Sequence, residues 1–175
     1  MYARDFNKQV ESVLWPMLEP AGFTKVQSCF VRERDHGQLV LFRFGGKFSS
    51  LCQFTRFMLC FRHTFLRDLF EKVPTRLLSN GHDFPFRLQP TSLRDLRIDS
   101  WTYSFQLNDD RFDSIEFGQM SDCRQILREI GELVVGTGVR WAQRLTPQEA
   151  FRQLTTYGQR VFCEQLWIED YEKWL

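Results

Sequence analysis

Two alternating stretches between Gln38 and Phe65 constrain the fold most strongly, because together they predict a pair of β-strands folded back on each other. The first runs from Gln38 to Phe44 and is broken by Gly45-Gly46, and the second runs from Gln53 to Phe65. Successive side chains of a strand point to opposite sides. One side of the second strand carries a nearly all-apolar set that we expect to face the core: Thr55, Phe57, Leu59, Phe61 and His63. The other side carries apolar residues interleaved with arginine: Phe54, Arg56, Met58, Cys60 and Arg62.

The residues before this pair predict a helix, a strand and a hairpin turn. Apolar side chains recur at steps of three and four from Asp5 to Leu18, which is typical of an amphipathic helix. Pro16 is expected to kink its last turn or to end the regular hydrogen bonding near Trp15. Phe23 to Glu33 alternates and predicts the first strand, and Asp35-His36-Gly37 predicts a turn in which Gly37 has a positive φ. Three consecutive strands with short connections predict an antiparallel meander.

The later residues predict further strands and a helical end. Trp101 to Leu107 alternates and predicts a fourth strand, and the weaker pattern from Phe112 to Phe117 predicts a short one. Asp122 to Val135 predicts a helix that Gly136-Thr137-Gly138 ends. Thr146 and Pro147 form a helix start, with threonine as the N-cap and proline at the first helical position. A last helix is predicted from Val161 to Trp174.

These elements define the expected fold. We predict a single α+β domain over residues 1–175, with an antiparallel β-sheet of four to five strands, helices packed on one face and a helical C-terminal region. The aromatic side chains near the C-terminus predict either closure of this core or the interface of a homodimer: Trp167, Tyr171 and Trp174.

The charge of the chain argues against a dedicated DNA-binding domain. The net charge is +1, which is not the strongly basic balance of such domains. Arginine nevertheless outnumbers lysine, 18 to 5. Arginine suits interfaces because its planar fork binds carboxylates and phosphates and stacks on aromatic rings. Base composition of the source genome explains the same excess, and both explanations stay open.

The cysteines indicate a reducing compartment. There are five, an odd number, with no CxxC pair, and no signal peptide precedes them. We therefore predict a cytoplasmic protein. None of the three histidines lies at a metal-ligand spacing from a cysteine, so no metal is expected. No apolar run approaches the ~18 residues of a membrane span, so no membrane partner is expected.

Sequence motifs of catalysis are missing from the chain. Gly45-Gly46-Lys47 and Gly136-Thr137-Gly138 are too short for a phosphate loop, and the second follows a predicted helix instead of preceding one. No GxSxG motif marks a nucleophile. We therefore expect a binding protein without a cofactor, and an enzyme with a dispersed site is the less favoured alternative.

Two groups of charged residues are candidates for binding. Arg43, Arg56 and Arg62, with Arg32 and Arg34 nearby, belong to the predicted meander, and several of them would share the sheet face turned from the first helix. Such a face engages an acidic protein surface, stacks on single-stranded bases, or is solvated and ion-paired across strands.

The second group is an acidic loop: Asp109, Asp110, Asp113 and Glu116. Its spacing is not that of a calcium loop, so a solvated turn is the better interpretation. As a surface feature it is a candidate for charge matching with a protein partner.

The N-terminal residues resemble a known family. The matching motifs are Asp5-Phe6, Leu18-Glu19-Pro20, Gly22-Phe23-Thr24-Lys25 and Phe30-Val31-Arg32. Over roughly the first 65 residues the chain resembles a bacterial domain-of-unknown-function family of small cytosolic α+β proteins. The resemblance implies no catalytic residues and suggests a binding protein of the immunity or antitoxin type.

Our leading hypothesis is a non-catalytic cytoplasmic binding protein, most concretely an immunity-type inhibitor of a bacterial toxin. The expected partner is thus another protein. The alternative is a binder of nucleic acid, a less favoured partner, or of a small anionic ligand through an arginine-rich sheet face.

Overall fold

The structure, a computed structural model, describes residues 1–45, 55–68, 83–88, 114–115, 117–157 and 162–175. Its strands are β1 (Thr24–Val26), β2 (Cys29–Arg34), β3 (Gly37–Gly45), β4 (Thr55–His63), β5 (Phe86–Leu88) and β6 (Ser114–Ile115). Its α-helices are α1 (Ala3–Gln9), α2 (Trp15–Leu18), α3 (Arg124–Leu133), α4 (Val139–Arg144), α5 (Pro147–Tyr157) and α6 (Phe162–Trp174). The predicted strand Trp101–Leu107 lies outside the described residues.

All strand pairs are antiparallel, so the predicted α+β fold is confirmed. The order in the sheet is β1-β2-β3-β4-β5, and β6 also pairs with β4. The first strand differs from its prediction, because Phe23 to Glu33 forms the β1–β2 hairpin instead of one strand. Gln27 has a φ of 55° and makes the reversal.

The β2–β3 turn also differs in detail. Arg34 pairs with Gly37, so the turn has two central residues, Asp35 and His36, with φ of 49° and 63°. Positive φ at both central residues is the type I′ geometry that suits the twist of a hairpin. The prediction that Gly37 supplies the positive φ is wrong. Gly37 is needed for space, because a Cβ there would lie 2.8 Å from Cε2 of Phe61.

The register between β3 and β4 defines the two faces of the sheet. Leu39 lies opposite Phe61 and Leu41 opposite Leu59. These residues belong to the main hydrophobic core, together with Phe6 of α1. We call this the helix-side face. The residues Thr55, Phe57, Leu59, Phe61 and His63, which we call the Phe57 set, are all buried there, so the prediction that they face the core is confirmed.

The helix before β1 passes through its proline. α1 continues into a π-helical turn, Val10–Leu14, and then into α2, which contains Pro16. Proline has no N–H for the regular ladder, and π turns accommodate such interruptions. The helical path therefore reaches Leu18 as predicted, and its regular hydrogen bonding is interrupted at Val10–Leu14, just before Trp15.

The second helical path continues through two glycines. α3 continues through a π-helical turn, Val134–Gly138, into α4, so the prediction that Gly136-Thr137-Gly138 ends the helix is wrong. Val134, Trp141 and Ala142 are 0%, 7% and 6% exposed. Burial of this face outweighs the ~1 kcal/mol by which each glycine disfavours a helix.

The C-terminal region is helical as predicted. Thr146 caps α5 by accepting the Glu149 N–H at 3.3 Å. In α6, Trp167 and Tyr171 are fully buried, whereas Trp174 is 48% exposed and stacks on Phe65 with ring centroids 4.3 Å apart. Within the described chain, the first two aromatic residues close the core and Trp174 covers its rim.

The sheet face turned from the helices is also buried. A smaller hydrophobic cluster lies there, made of Cys29, Val31, Val40, Phe42, Cys60 and Phe84. Phe84 precedes β5 and packs edge-on against Phe42, with ring centroids 5.4 Å apart. We call this the second face.

Candidate functional site

The predicted arginine group is divided between the two faces of the sheet. Arg43 lies opposite Phe57 and is therefore on the helix-side face. Arg56 and Arg62 alternate with the Phe57 set and lie on the second face, as does Arg87 opposite Cys60. Arg43 thus does not share a face with Arg56 and Arg62. Asp109, Asp110, Asp113 and Glu116 lie outside the described residues.

Arg62 is engaged inside the protein. It is 8% exposed, and its Nη1 donates to Oδ1 of Asp68 at 2.5 Å while Nη2 donates to the carbonyl of Leu66. Its guanidinium carbon lies 5.8 Å from the centroid of the Phe84 ring. These contacts fix the chain after β4 against the second face, so Arg62 acts as a structural residue.

Arg43 is half-buried between β3 and α1. Its Nη2 donates to Oδ1 of Asn7 at 2.5 Å, and its guanidinium carbon lies 5.5 Å from the Phe6 ring centroid. Burial lowers the pKa of Arg43, although the nearby Glu11 acts in the opposite direction. The side chain joins the sheet to the first helix.

An open concave site among the described residues lies at the hairpin end of the helix-side face. We call it the hairpin cleft. Its volume is about 350 Å³. Its floor is formed by two cross-strand rows of the sheet: Arg32, Leu39 and Phe61, then Arg34, Gly37 and His63. Its wall is formed by the end of α4 and the start of α5: Ala142, Gln143, Leu145, Thr146 and Pro147.

Two arginines define the outer edge of the hairpin cleft. β1 ends its pairing at Thr24 opposite Val31, so Arg32 and Arg34 extend past it along β2. Arg32 is half-buried, and its Nε donates to the carbonyl of Ala21 at 2.8 Å. Arg34 is exposed and pairs with Asp35 at 3.2 Å. Asp35, the partner of Arg34, also lines the cleft, whereas within the described ranges no carboxylate forms a salt bridge with Arg32, so this edge keeps a net positive charge.

His63 closes the inner end of the cleft. It is 2% exposed, and its Nδ1 lies 2.6 Å from the hydroxyl oxygen of Tyr171. Burial lowers the pKa of His63 to about 4, His36 acts in the same direction, and a hydrogen bond to the backbone of Leu145 opposes both. The ring is therefore neutral near pH 7. Nδ1 and the Tyr171 hydroxyl share one hydrogen bond, whose donor is set by the tautomer of the ring.

The contacts of His63 hold three parts of the chain together. β4 supplies the ring, the α4–α5 connection supplies Leu145, and α6 supplies Tyr171. Burial raises the pKa of the Tyr171 hydroxyl, although Arg62 opposes this, so the phenol keeps its proton. Arg67, just after β4, binds Asp170 of α6 through a forked pair in which Nη2 donates to Oδ1 at 2.6 Å and Nε donates to Oδ2 at 3.0 Å. These bonds hold the wall and the inner end of the cleft to β4 and α6.

Sequence reasoning noted Arg32 and Arg34 only as neighbours of the other arginines. A signal was present, because residues 32 and 34 share one side of β2 and sit across the turn from residues 37 and 39. The wall at residues 142–147 had no such signal, since it is more than a hundred residues away in sequence.

Comparisons with known proteins gave no relative. No family model matches the chain, and searches of curated proteins and of solved structures found no match. The family resemblance of the N-terminal motifs therefore stays a prediction.

Two searches of the described residues were negative. No group of three or more His, Cys, Asp or Glu side chains there is placed to hold a metal ion. Across the same ranges, no helix combines the length and apolarity that a membrane span requires.

Proposed function

We propose that the protein is a binding module that receives an acidic group of a partner protein in the hairpin cleft. The observation that carries this role is the pair Arg32 and Arg34 at the edge of a concave site, where Arg34 pairs with Asp35 and no carboxylate among the described residues forms a salt bridge with Arg32. Arginine binds carboxylates through two parallel hydrogen bonds, and these charge-assisted bonds are stronger than neutral ones.

The position of Arg32 strengthens its attraction for an anion. Its side chain is half-buried, and Nε is already held by the carbonyl of Ala21. A cation that is partly shielded from water interacts more strongly with an incoming charge than an exposed one. Because one nitrogen is fixed, less side-chain entropy is lost when a ligand binds.

An immunity-type inhibitor of a bacterial toxin is the specific form of this proposal. It is supported by the resemblance of the N-terminal motifs and by a rigid, preformed site, since tight inhibitors rely on preorganised surfaces. In that form the partner is a toxin whose acidic group enters the cleft, and the complex forms in the cytoplasm.

Nucleic-acid binding is less well supported by the observed geometry. The arginine-rich sheet face that it requires is buried at Arg62 and Arg87, which are 8% and 7% exposed. Bases would need that face open for stacking. Arg32 and Arg34 offer instead a narrow cationic edge beside an apolar floor.

The test is a capture experiment with matched variants. The tagged protein, the double variant Arg32→Gln/Arg34→Gln and the control Arg4→Gln/Arg128→Gln are each used on nuclease-treated lysate of the native host. Both variants remove two positive charges, but Arg4 and Arg128 are exposed and lie away from the cleft.

We expect one stoichiometric protein partner that the native protein and the control retain and the cleft variant loses. The proposed function is overturned if the cleft variant retains that partner equally well, or if a parallel capture from untreated lysate recovers nucleic acid and no protein partner.

A further inference from the structure

We infer, building on the proposed function, that the group received by the hairpin cleft is the C-terminal residue of the partner, with its carboxylate at Arg32 and Arg34 and an apolar side chain over Phe61. The reason is that the cleft has two chemically different ends. Its charged edge lies on β2 and its aromatic end on β4, with β3 between them.

The sheet geometry sets the distance between these ends. Neighbouring strands lie about 4.8 Å apart, so β2 and β4 are separated by about 10 Å. Across that distance the floor changes from Arg32 to Leu39 to Phe61 in one row. A ligand that satisfies both ends carries a carboxylate and, within one residue of it, an apolar group.

An internal acidic side chain does not fit this arrangement. The carboxylate of Asp or Glu is at the tip of its side chain, so nothing apolar extends beyond it into the cleft. A C-terminal residue has its carboxylate on Cα, and its side chain leaves the same atom in another direction. A terminal Leu, Ile or Phe therefore presents both features at once. Capture of a C-terminal carboxylate is a recurrent mode of peptide recognition.

The inner end of the cleft suits an uncharged group. The His63 ring is 2% exposed and its Nδ1 is bonded to the Tyr171 hydroxyl, so this end of the cleft presents the edge of a buried ring and no exposed charge. Leu39, Phe61 and Leu145 supply the apolar surface around it. A second charge placed there would lose its hydration without a partner.

Gly37 keeps the floor of the cleft low. The Phe61 ring occupies the space of its missing side chain, with Cε2 and Cζ at 2.8 and 3.0 Å from the Cβ position. Any larger residue at 37 would have to displace this ring from the floor. The volume of about 350 Å³ is near the lower end of ligand pockets, which suits one residue and part of the preceding one.

The experiment measures binding of fluorescent peptides by anisotropy to the full chain. The probes are Gly-Ser-Gly-Ser-Gly-Leu with a free C-terminus, the same peptide as its C-terminal amide, and Gly-Ser-Glu-Leu-Gly-Ser amide, which carries its acid internally. We expect the free acid to bind about 10- to 100-fold more tightly than either amide, because the amides lack charge-assisted bonds at the terminus.

Two variants of exposed residues are used, so that a change in binding does not arise from a loss of folding. Arg34→Gln changes an exposed side chain and is expected to weaken the free acid about tenfold while leaving the amides unchanged. The control Arg4→Gln/Arg128→Gln is expected to bind like the native chain.

Equal binding of the acid and its amide, or no binding by the acid at millimolar protein, overturns the inference. The proposed function is judged separately by the captured partner. If that partner depends on Arg32 and Arg34 but binds equally well after its last residue is removed, the terminal-residue inference fails and the proposed function stands.

Discussion

The two faces of the sheet are both buried, but their arginine side chains lie in different places. The helix-side face carries a continuous apolar cluster from β2 to β5, and its arginines lie at the margins, where Arg32, Arg34 and Arg43 meet the hairpin cleft or α1. The second face carries a smaller cluster with Arg62 and Arg87 buried beside it. Arginine within an alternating strand is therefore no sign of a solvated face, because a carboxylate and a carbonyl keep Arg62 satisfied inside.

The largest expected effect tests whether the faces are equally buried. Phe57→Ala on the helix-side face and Phe42→Ala on the second face each remove a ring that is at most 2% exposed. Each should lower the free energy of unfolding by about 3–5 kcal/mol, because both leave a cavity. Chemical denaturation of both variants measures this. A loss below about 1 kcal/mol for Phe42→Ala would mean that the second face is open to water in solution.

The next effect concerns the neutral His63 at the end of the helix-side face. Its pKa falls from the ordinary 6.5 to about 4 in the folded protein. At pH 7 the ring is neutral in both states. As the pH falls through 6.5 the unfolded chain binds the proton first, so folding stability falls until about pH 4 and then levels off. The loss is about 3 kcal/mol, at ~1.4 kcal/mol for each pKa unit.

His63→Gln is the matched variant for this measurement. The glutamine amide still forms a hydrogen bond with Tyr171 but does not titrate. Urea denaturation of both proteins between pH 7 and pH 4 should show the native chain losing more stability than the variant. Parallel pH profiles would contradict the assignment of a buried neutral His63.

A smaller effect distinguishes a buried arginine from an exposed one. Arg62→Met should cost about 1–3 kcal/mol, because Asp68 and the Leu66 carbonyl both lose their partner. Arg34→Met removes an exposed pair with Asp35 and should change stability by less than about 0.5 kcal/mol. Thermal and urea unfolding compare the two. Equal effects would show that Arg62 is solvated in the native state.

The smallest expected effect is that of Arg43→Met on the helix-side face, compared with Arg62→Met on the second face. The Nε of Arg43 is buried, and no hydrogen-bond partner for it occurs in the described structure. Replacing an incompletely satisfied buried charge with an apolar side chain is often neutral. Arg43→Met should therefore change the free energy of unfolding by less than about 1 kcal/mol in either direction. A loss as large as that of Arg62→Met would show that the bond to Asn7 is worth more than this comparison allows.

The sequence predicted the fold class and one face of the sheet well, because period-two alternation is a local signal. Alternation within one strand was enough to predict that Phe57, Leu59 and Phe61 lie in the core. It did not separate Arg43 from Arg62, because that requires the register between β3 and β4, which the pattern within each strand leaves open.

The remaining misses have one physical cause. Gly136 to Gly138 stay helical because Val134 and Trp141 are buried on either side of them, and that burial comes from distant parts of the fold. The hairpin cleft needs residues 142–147 to meet floor residues that lie about 80 to 115 positions earlier in the chain. Contacts over such separations have no signature within a short window of sequence.

The bond between His63 and Tyr171 has a consequence for synthesis of the chain. Its two residues are 108 positions apart, and the Arg67–Asp170 fork spans 103. A ribosome adding about 5–20 residues per second takes about 5–20 s to pass from the first partner to the second. For that interval the nascent sheet presents an uncovered imidazole and Phe65 to its surroundings. Packing of the last helix against the sheet therefore covers these side chains and ends the interval in which they are open to chaperones and to aggregation.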